Sequence, residues 1–194
     1  MLAWSVQQHE PVATLHHGVR DHLGASLAAN RHRLSLLRAE ALRVAAAFGA
    51  AGVACVATKG IVFESTLYQG SGTRVLKDID FMVAPADRDA ASQALAELGY
   101  EIGNYDWKQD AIVPLERRLY MEYRMYPDHL PRHVRRLDDP LVRHIYLDVA
   151  NSLTWHGAPY QIPLEAARAG RLTQAVPGHP GAVLPTFGPD YQFL

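Results

Sequence analysis

The feature that most constrains the fold is a run of apolar residues at helical spacing that leads straight into a short apolar strand. Leu23, Leu27, Leu34, Leu37, Ala41, Val44 and Phe48 fall on one helix face, which predicts one long amphipathic helix, or two, over about 20–48. Gly49 and Gly52 end it, and 53–58 reads as a short buried strand. A helix with a single apolar stripe must bury that stripe, and a strand directly after it points to a sheet as the surface that receives it.

Further along, Lys59-Gly60 reads as a turn, 61–68 as a short helix, and Gly70-Ser71-Gly72-Thr73 as a turn ahead of the next strand. That glycine-rich stretch lacks the Gly-Lys-Ser/Thr ending of a phosphate loop. A strand is predicted over 77–84. Pro85-Ala86-Asp87 suits a helix start with Asp87 as its cap, and Gly99 stops the helix after Leu98. Leu119, Met121, Tyr123 and Met125 alternate with more polar residues, so 118–126 reads as a strand. The connector 127–140 is rich in His, Arg and Pro, 144–151 alternates again as a strand, and 164–172 reads as a short helix. The class is α+β, a mixed α/β core with a central mixed sheet flanked by helices. Three parts are expected: an N-terminal helical segment over 1–52 packing on the core, a core over 53–176, and a C-terminal tail over 177–194.

The chemistry concentrates in Arg74-Val-Leu-Lys-Asp78-Ile-Asp80-Phe-Met-Val83. Side chains on a strand alternate faces, so Asp78 and Asp80 share one face while Ile79, Phe81 and Val83 point into a core. Two carboxylates on one face repel each other, and a cation between them relieves this. Magnesium suits that role, since it takes hard oxygen ligands from one or two carboxylates and from substrate phosphates. In-line displacement at phosphorus is the reaction that needs such a site. Asp148, in Ile145-Tyr-Leu-Asp-Val149, is a third carboxylate. It joins the pair if its strand lies beside 77–84, as a second metal ligand or as a base for the attacking group. The bland alternative is an exposed acidic strand end, with Asp148 paired to Arg143.

Bulk properties narrow the partners. The formal net charge is −1 over 194 residues, without the basic excess of a chain that lives on a phosphate backbone, which argues against nucleic acid. Cys55 is the only cysteine, so no intrachain disulfide can form and a reducing compartment is expected. The longest apolar stretch, 44–58, is shorter than the ~20 residues of a membrane span. The N-terminus lacks the pattern of a signal peptide, and the cytoplasm is the expected location.

Lys59-Gly60, Leu67-Tyr68, Arg74 with three residues before Asp78-Ile-Asp80-Phe-Met-Val83, and a helix ending at Leu98-Gly-Tyr100 together form an ordered pattern. It resembles an uncharacterised-type nucleotidyltransferase family of the superfamily with the DNA polymerase β-like catalytic fold. Tyr146-Leu-Asp148 looks like that family's third aspartate, and the resemblance covers roughly 30–190. It implies that Asp78 and Asp80 bind the catalytic magnesium, with Asp148 as third carboxylate, holding one ion or two. Lys59-Gly60 stands where the superfamily has glycine-serine at the head of a helix, whose N–H groups suit a triphosphate. Lys59 would add positive charge, and Arg74 would either touch phosphate or brace the aspartate strand by a salt bridge.

Two departures stand out. The family follows its third aspartate quickly with a histidine, whereas Val149-Ala-Asn151 follows Asp148 here. Its members also continue past the region of Tyr191–Leu194 into a helical part, which suggests a minimal version, a homo-oligomer, or a partner chain that supplies that half. His129 and His133 have the spacing of two zinc ligands but no companion ligand. With Arg132, Arg135 and Arg136 they form either a basic lip near the site or a solvated loop. Cys55 reads as structural, and Tyr105, Trp107 and Trp155 as packing residues ahead of base-stacking ones. The expected activity is magnesium-dependent transfer of a nucleoside monophosphate from a nucleoside triphosphate to a small-molecule or protein acceptor. The alternative is an inactive nucleotidyltransferase-like binding module, antitoxin-like or dependent on a partner.

Overall fold

A computed structural model gives the architecture, and it describes residues 16–125, 128–154 and 157–192. Helix α1 (His17–Ala50) comes first. Strand β1 (Cys55–Thr58) and helix α2 (Lys59–Thr66) follow, then β2 (Asp78–Val83). A 3-10 turn at Pro85–Asp87 opens α3 (Arg88–Glu97). Strands β3 (Glu101–Asp106) and β4 (Ala111–Pro114) precede helix α4 (Arg117–Met125). Strands β5 (His133–Arg136) and β6 (His144–Ala150), helix α5 (Leu164–Ala169), and β7 (Leu172–Ala175) with β8 (Val183–Thr186) complete the chain. The eight strands form one sheet in the order β4-β3-β5-β6-β2-β1-β8-β7. It is mixed, with β2–β6 and β1–β8 parallel and the other pairs antiparallel.

The two faces of the sheet carry different loads. On one face Ala57, Ile79, Phe81, Val83, Ile145, Leu147 and Val149 meet Leu34, Leu37, Ala41, Val44 and Phe48 of α1. Phe48 sets its edge against the Phe81 ring, 5.9 Å between centroids, a favoured aromatic geometry. The helical stripe read in the sequence is thus the main core contact of α1, and Leu27 is buried while Leu23 is half-buried. On the opposite face a smaller cluster gathers Val56, Met82, Ala150, Ala167 and Phe187. Among the described residues no helix is long and apolar enough to cross a membrane.

Several local expectations need correction. Lys59-Gly60 is not a turn but the first residues of α2. The stretch 118–126, read as a strand from alternation, falls as far as Met125 in helix α4. None of its residues is buried, so the alternation reports no buried face. The chain closes helical hydrogen bonds instead, with an i,i+4 pair between Arg118 and Glu122 at 3.2 Å. The connector 127–140 contains β5, and the region from 177 onward contains β8, which pairs with β1 inside the sheet. Strands β3, β4 and β7 were not foreseen. The Gly70–Thr73 turn is as expected, with Gly70 and Gly72 at positive φ. Trp155 lies outside the described residues.

Candidate active site

Pairing between β2 and β6 decides the geometry. The two strands run parallel with Asp80 opposite Asp148 and Asp78 opposite Tyr146. All three carboxylates therefore rise from one face of two adjacent strands, the face away from α1. Asp78 is exposed, while Asp80 is buried at 8% exposure. Burial pushes the Asp80 carboxyl above the usual range. The Lys59 charge opposes that shift, and the Asp78 and Asp148 charges add to it.

On the β1 side, Thr58 pairs with Asp80, so the head of α2 lies against the carboxylate. Among the described residues no side chain caps this helix, and open N–H groups at a helix head suit an anion. Lys59 adopts a positive φ of 48°, uncommon for a residue with a side chain, and its Nζ lies 3.2 Å from Asp80 Oδ1. Burial alone would lower the lysine, but Asp80, with Asp148 and Asp78 behind it, holds it above its ordinary value and charged. Gly60 is a close approach: a Cβ there would lie 2.8 Å from Leu76 Cδ2 and 3.8 Å from Asp80 Oδ2.

On the β5 side, the segment before β5 runs antiparallel to the end of β6. The Leu130 N–H donates to the Val149 carbonyl and the Asn151 N–H to the Asp128 carbonyl, with a bridge between His129 and Ala150. This lays His129 over Asp148, Nδ1 to Oδ1 at 3.0 Å. Burial raises the Asp148 carboxyl, but the His129 hydrogen bond and charge, with Lys59 and Arg132 beyond, outweigh it and leave the group below its usual value. A groove lined by Asp78, Tyr123, His129, Arg132, Tyr146 and Asp148 opens on this side. A second groove, sharing His129, runs past Thr58 and Lys59 toward Met82, Phe187 and Tyr191.

Arg74 is not gathered with these residues. Its guanidinium stacks over the Phe63 and Tyr68 rings at 5.7 and 5.6 Å, and its buried Nε has no hydrogen-bond partner among the described residues. It braces α2 through aromatic contact rather than a salt bridge. The basic lip divides. His129 and Arg132 face the carboxylates, whereas His133 is buried, Arg135 pairs with Glu40 at 2.6 Å, and Arg136 pairs with Asp110 at 2.7 Å. Tyr105 stacks on His144 at 4.3 Å with Trp107 at its edge, a packed ring cluster beside Tyr146. Burial pushes the Cys55 thiol up to about 11, which does not suit a nucleophile.

The carboxylate oxygens match magnesium in hardness. One oxygen of Asp80 meets Lys59 and one of Asp148 meets His129, leaving one oxygen on each and the exposed Asp78 to meet an ion. Among the described residues no three His, Cys, Asp or Glu side chains form a ready-made metal cage.

Sequence reasoning left His129 on either a basic lip near the site or a solvated loop, without naming Asp148 as its partner. The signal it lacked was the pairing of 128–130 with the end of β6. No curated protein and no solved structure matches the chain. The model of a family described as uncharacterised nucleotidyltransferases matches residues 1–194, over a mixed α/β fold with Asp80 and Asp148 opposite each other on adjacent strands, and the chain belongs to that family.

Proposed function

We propose that the protein transfers a nucleoside monophosphate from a nucleoside triphosphate to a hydroxyl, amine or carboxylate of a small-molecule or protein acceptor, with magnesium. The observation that carries this reading is the β2–β6 register, which sets Asp80 beside Asp148 with Asp78 two residues away on the same face. In the reaction the acceptor atom bonds to the α-phosphorus as the bond to the bridging oxygen breaks, and pyrophosphate leaves. The uncapped α2 head, Gly60 and Lys59 would receive the β- and γ-phosphates. Arg74 acts at one remove, by bracing α2. Asp78, Asp80 and Asp148 would hold magnesium, one ion or two, which would orient the phosphates and neutralise their developing charge. Asp148, hydrogen-bonded to His129, would either assist the metal or receive the acceptor's proton.

The test is incubation with each labelled nucleoside triphosphate and magnesium, alone and with small-molecule and protein fractions as acceptor sources. Wild type is expected to bind one nucleotide and to release pyrophosphate. Asp80→Ala is expected to lose at least about a hundredfold in rate. A wild-type protein that binds no nucleotide and releases no pyrophosphate with any fraction would overturn the reading.

The Lys59–Asp80 ion pair favours a second reading, a nucleotidyltransferase-like binding module in which the lysine stands in for the metal. Magnesium titration separates the two: the enzyme requires nucleotide affinity to rise with magnesium, and the module requires it to stay flat.

A further inference from the structure

We infer that the acceptor enters from the β5 side of the carboxylates and carries an anionic group, carboxylate or phosphate, that Arg132 binds beside Asp148. This deepens the proposed function and rests on it.

The strand order β5-β6-β2-β1 sets two cations on opposite flanks of the carboxylates. Lys59 and the α2 head stand at the β1 end. Arg132, the residue before β5, stands at the other. Three strand spacings separate those ends, about 14 Å, and the strands between them carry Asp80 and Asp148. Displacement at phosphorus keeps the attacking and leaving oxygens roughly in line. With pyrophosphate leaving toward Lys59, the attacking atom must arrive from the β5 side, through the groove that holds Asp148, His129, Arg132, Tyr123 and Tyr146.

Arg132 is held in that groove by neutral groups. Its Nη1 donates to Asn104 Oδ1 at 3.1 Å, and its guanidinium lies over the Tyr146 ring at 5.3 Å. Arg135, Arg136 and Arg38 each have a carboxylate partner; among the described residues no carboxylate lies within ion-pair distance of Arg132. A guanidinium has five N–H donors in a planar fork that matches carboxylate or phosphate. Of these, one is used within the described protein. A cationic acceptor would be drawn in by the three carboxylates alone. An anionic one would be repelled by them, and a fixed cation at the entrance is what such an acceptor requires.

The experiment uses the full chain saturated with magnesium and the tightest-binding α,β-methylene nucleoside triphosphate, so that the Lys59 flank is filled. Inorganic phosphate and succinate are then titrated separately by calorimetry into wild type, Arg132→Gln and, as a surface-charge control, Arg136→Gln. Wild type and Arg136→Gln are expected to bind at least one of the two anions. Arg132→Gln should bind it at least fivefold more weakly, with the affinity for the nucleotide analogue and the melting temperature unchanged. The anion that binds tells carboxylate from phosphate. The inference is overturned if neither anion binds wild type, or if Arg132→Gln binds it as well as wild type does. It is equally overturned if Arg132→Gln loses the nucleotide analogue, which would make Arg132 a triphosphate ligand. If no analogue binds wild type in magnesium, the proposed function falls, and the inference with it.

Discussion

Asp80 sits on a central strand with a lysine on one side and two further carboxylates in its field. Its carboxyl is raised, first by burial, so the folded protein binds that proton more tightly than the unfolded chain does. The sign follows from linkage. Stability is lost as pH rises from the ordinary carboxylate value through the raised one, and the cost persists at neutral pH. Asparagine has the same shape without the charge. Asp80→Asn is therefore expected to melt at the same temperature as wild type or up to about 3 °C higher at pH 7, a gain of about 1 kcal/mol or less. The gap should close as pH falls toward about 4. Melting curves between pH 4 and 8 check this, and a clear loss of stability in Asp80→Asn at pH 7 would mean that the Lys59 pair outweighs the burial cost. The face that Asp80 takes on its strand was legible because alternation on a strand is a local rule. The positive φ of Lys59 and the His129–Asp148 contact were not, since each depends on where distant chain is brought by the sheet.

Helix α1 does more than cover the sheet, because its polar side chains hold the chain between α2 and β2. Asn30 donates to the Gly72 and Arg74 carbonyls, Arg31 to Ser71, and Arg33 to Leu76 and Lys77. Arg38 reaches Glu64 of α2, Nε to Oε2 at 3.1 Å, and Glu64 is fully buried. These contacts fix the approach to Asp78 from one side and the α2 head from the other. Removing one partner of a buried ion pair strands the other charge, so Arg38→Ala is expected to cost about 3–5 kcal/mol. The double variant Arg38→Met, Glu64→Leu should recover most of that loss, because it removes the stranded charge as well. Urea unfolding of the three proteins decides the matter; equal losses in single and double variants would show that the pair is not where the energy lies. At this scale α1, β2 and β6 were legible, since each has a buried face and a matching period. Strands β3, β4, β5, β7 and β8 are no shorter than β1, but Pro114 and Pro185 and the polar residues of β3, β5 and β7 break up the apolar pattern that marks a strand, and α4 has no buried face to impose one.

Across the whole molecule, the C-terminal hairpin extends the sheet that carries the site. Strand β8 lies parallel to β1 with Ala57 opposite Thr186. Thr186 Oγ1 donates to the Ala57 carbonyl at 3.1 Å, and the Gln192 amide donates to the Phe187 carbonyl at 2.7 Å. Phe187, 2% exposed, joins Val56, Met82, Ala150 and Ala167 on the carboxylate face of the sheet. Met82 and Ala150 follow Asp80 and Asp148 by two residues on their strands, so this small cluster continues the floor on which the carboxylates stand. The same hairpin keeps β1 from being an exposed edge. Phe187→Ala opens a cavity in a cluster too small to close around it, and is expected to cost about 3–5 kcal/mol. At about 2–4 °C per kcal/mol for a chain of this size, that is a fall of roughly 6–20 °C. Phe187→Leu fills most of the space and should lose less than half as much. Hydrogen exchange adds a spatial readout: in Phe187→Ala the amides of β1 and β8 should open before those of β6, because β6 keeps both of its partner strands. Uniform exchange across β1, β6 and β8 would instead mean that the hairpin and the carboxylate strands unfold as one unit, with the site sharing the stability of the whole sheet.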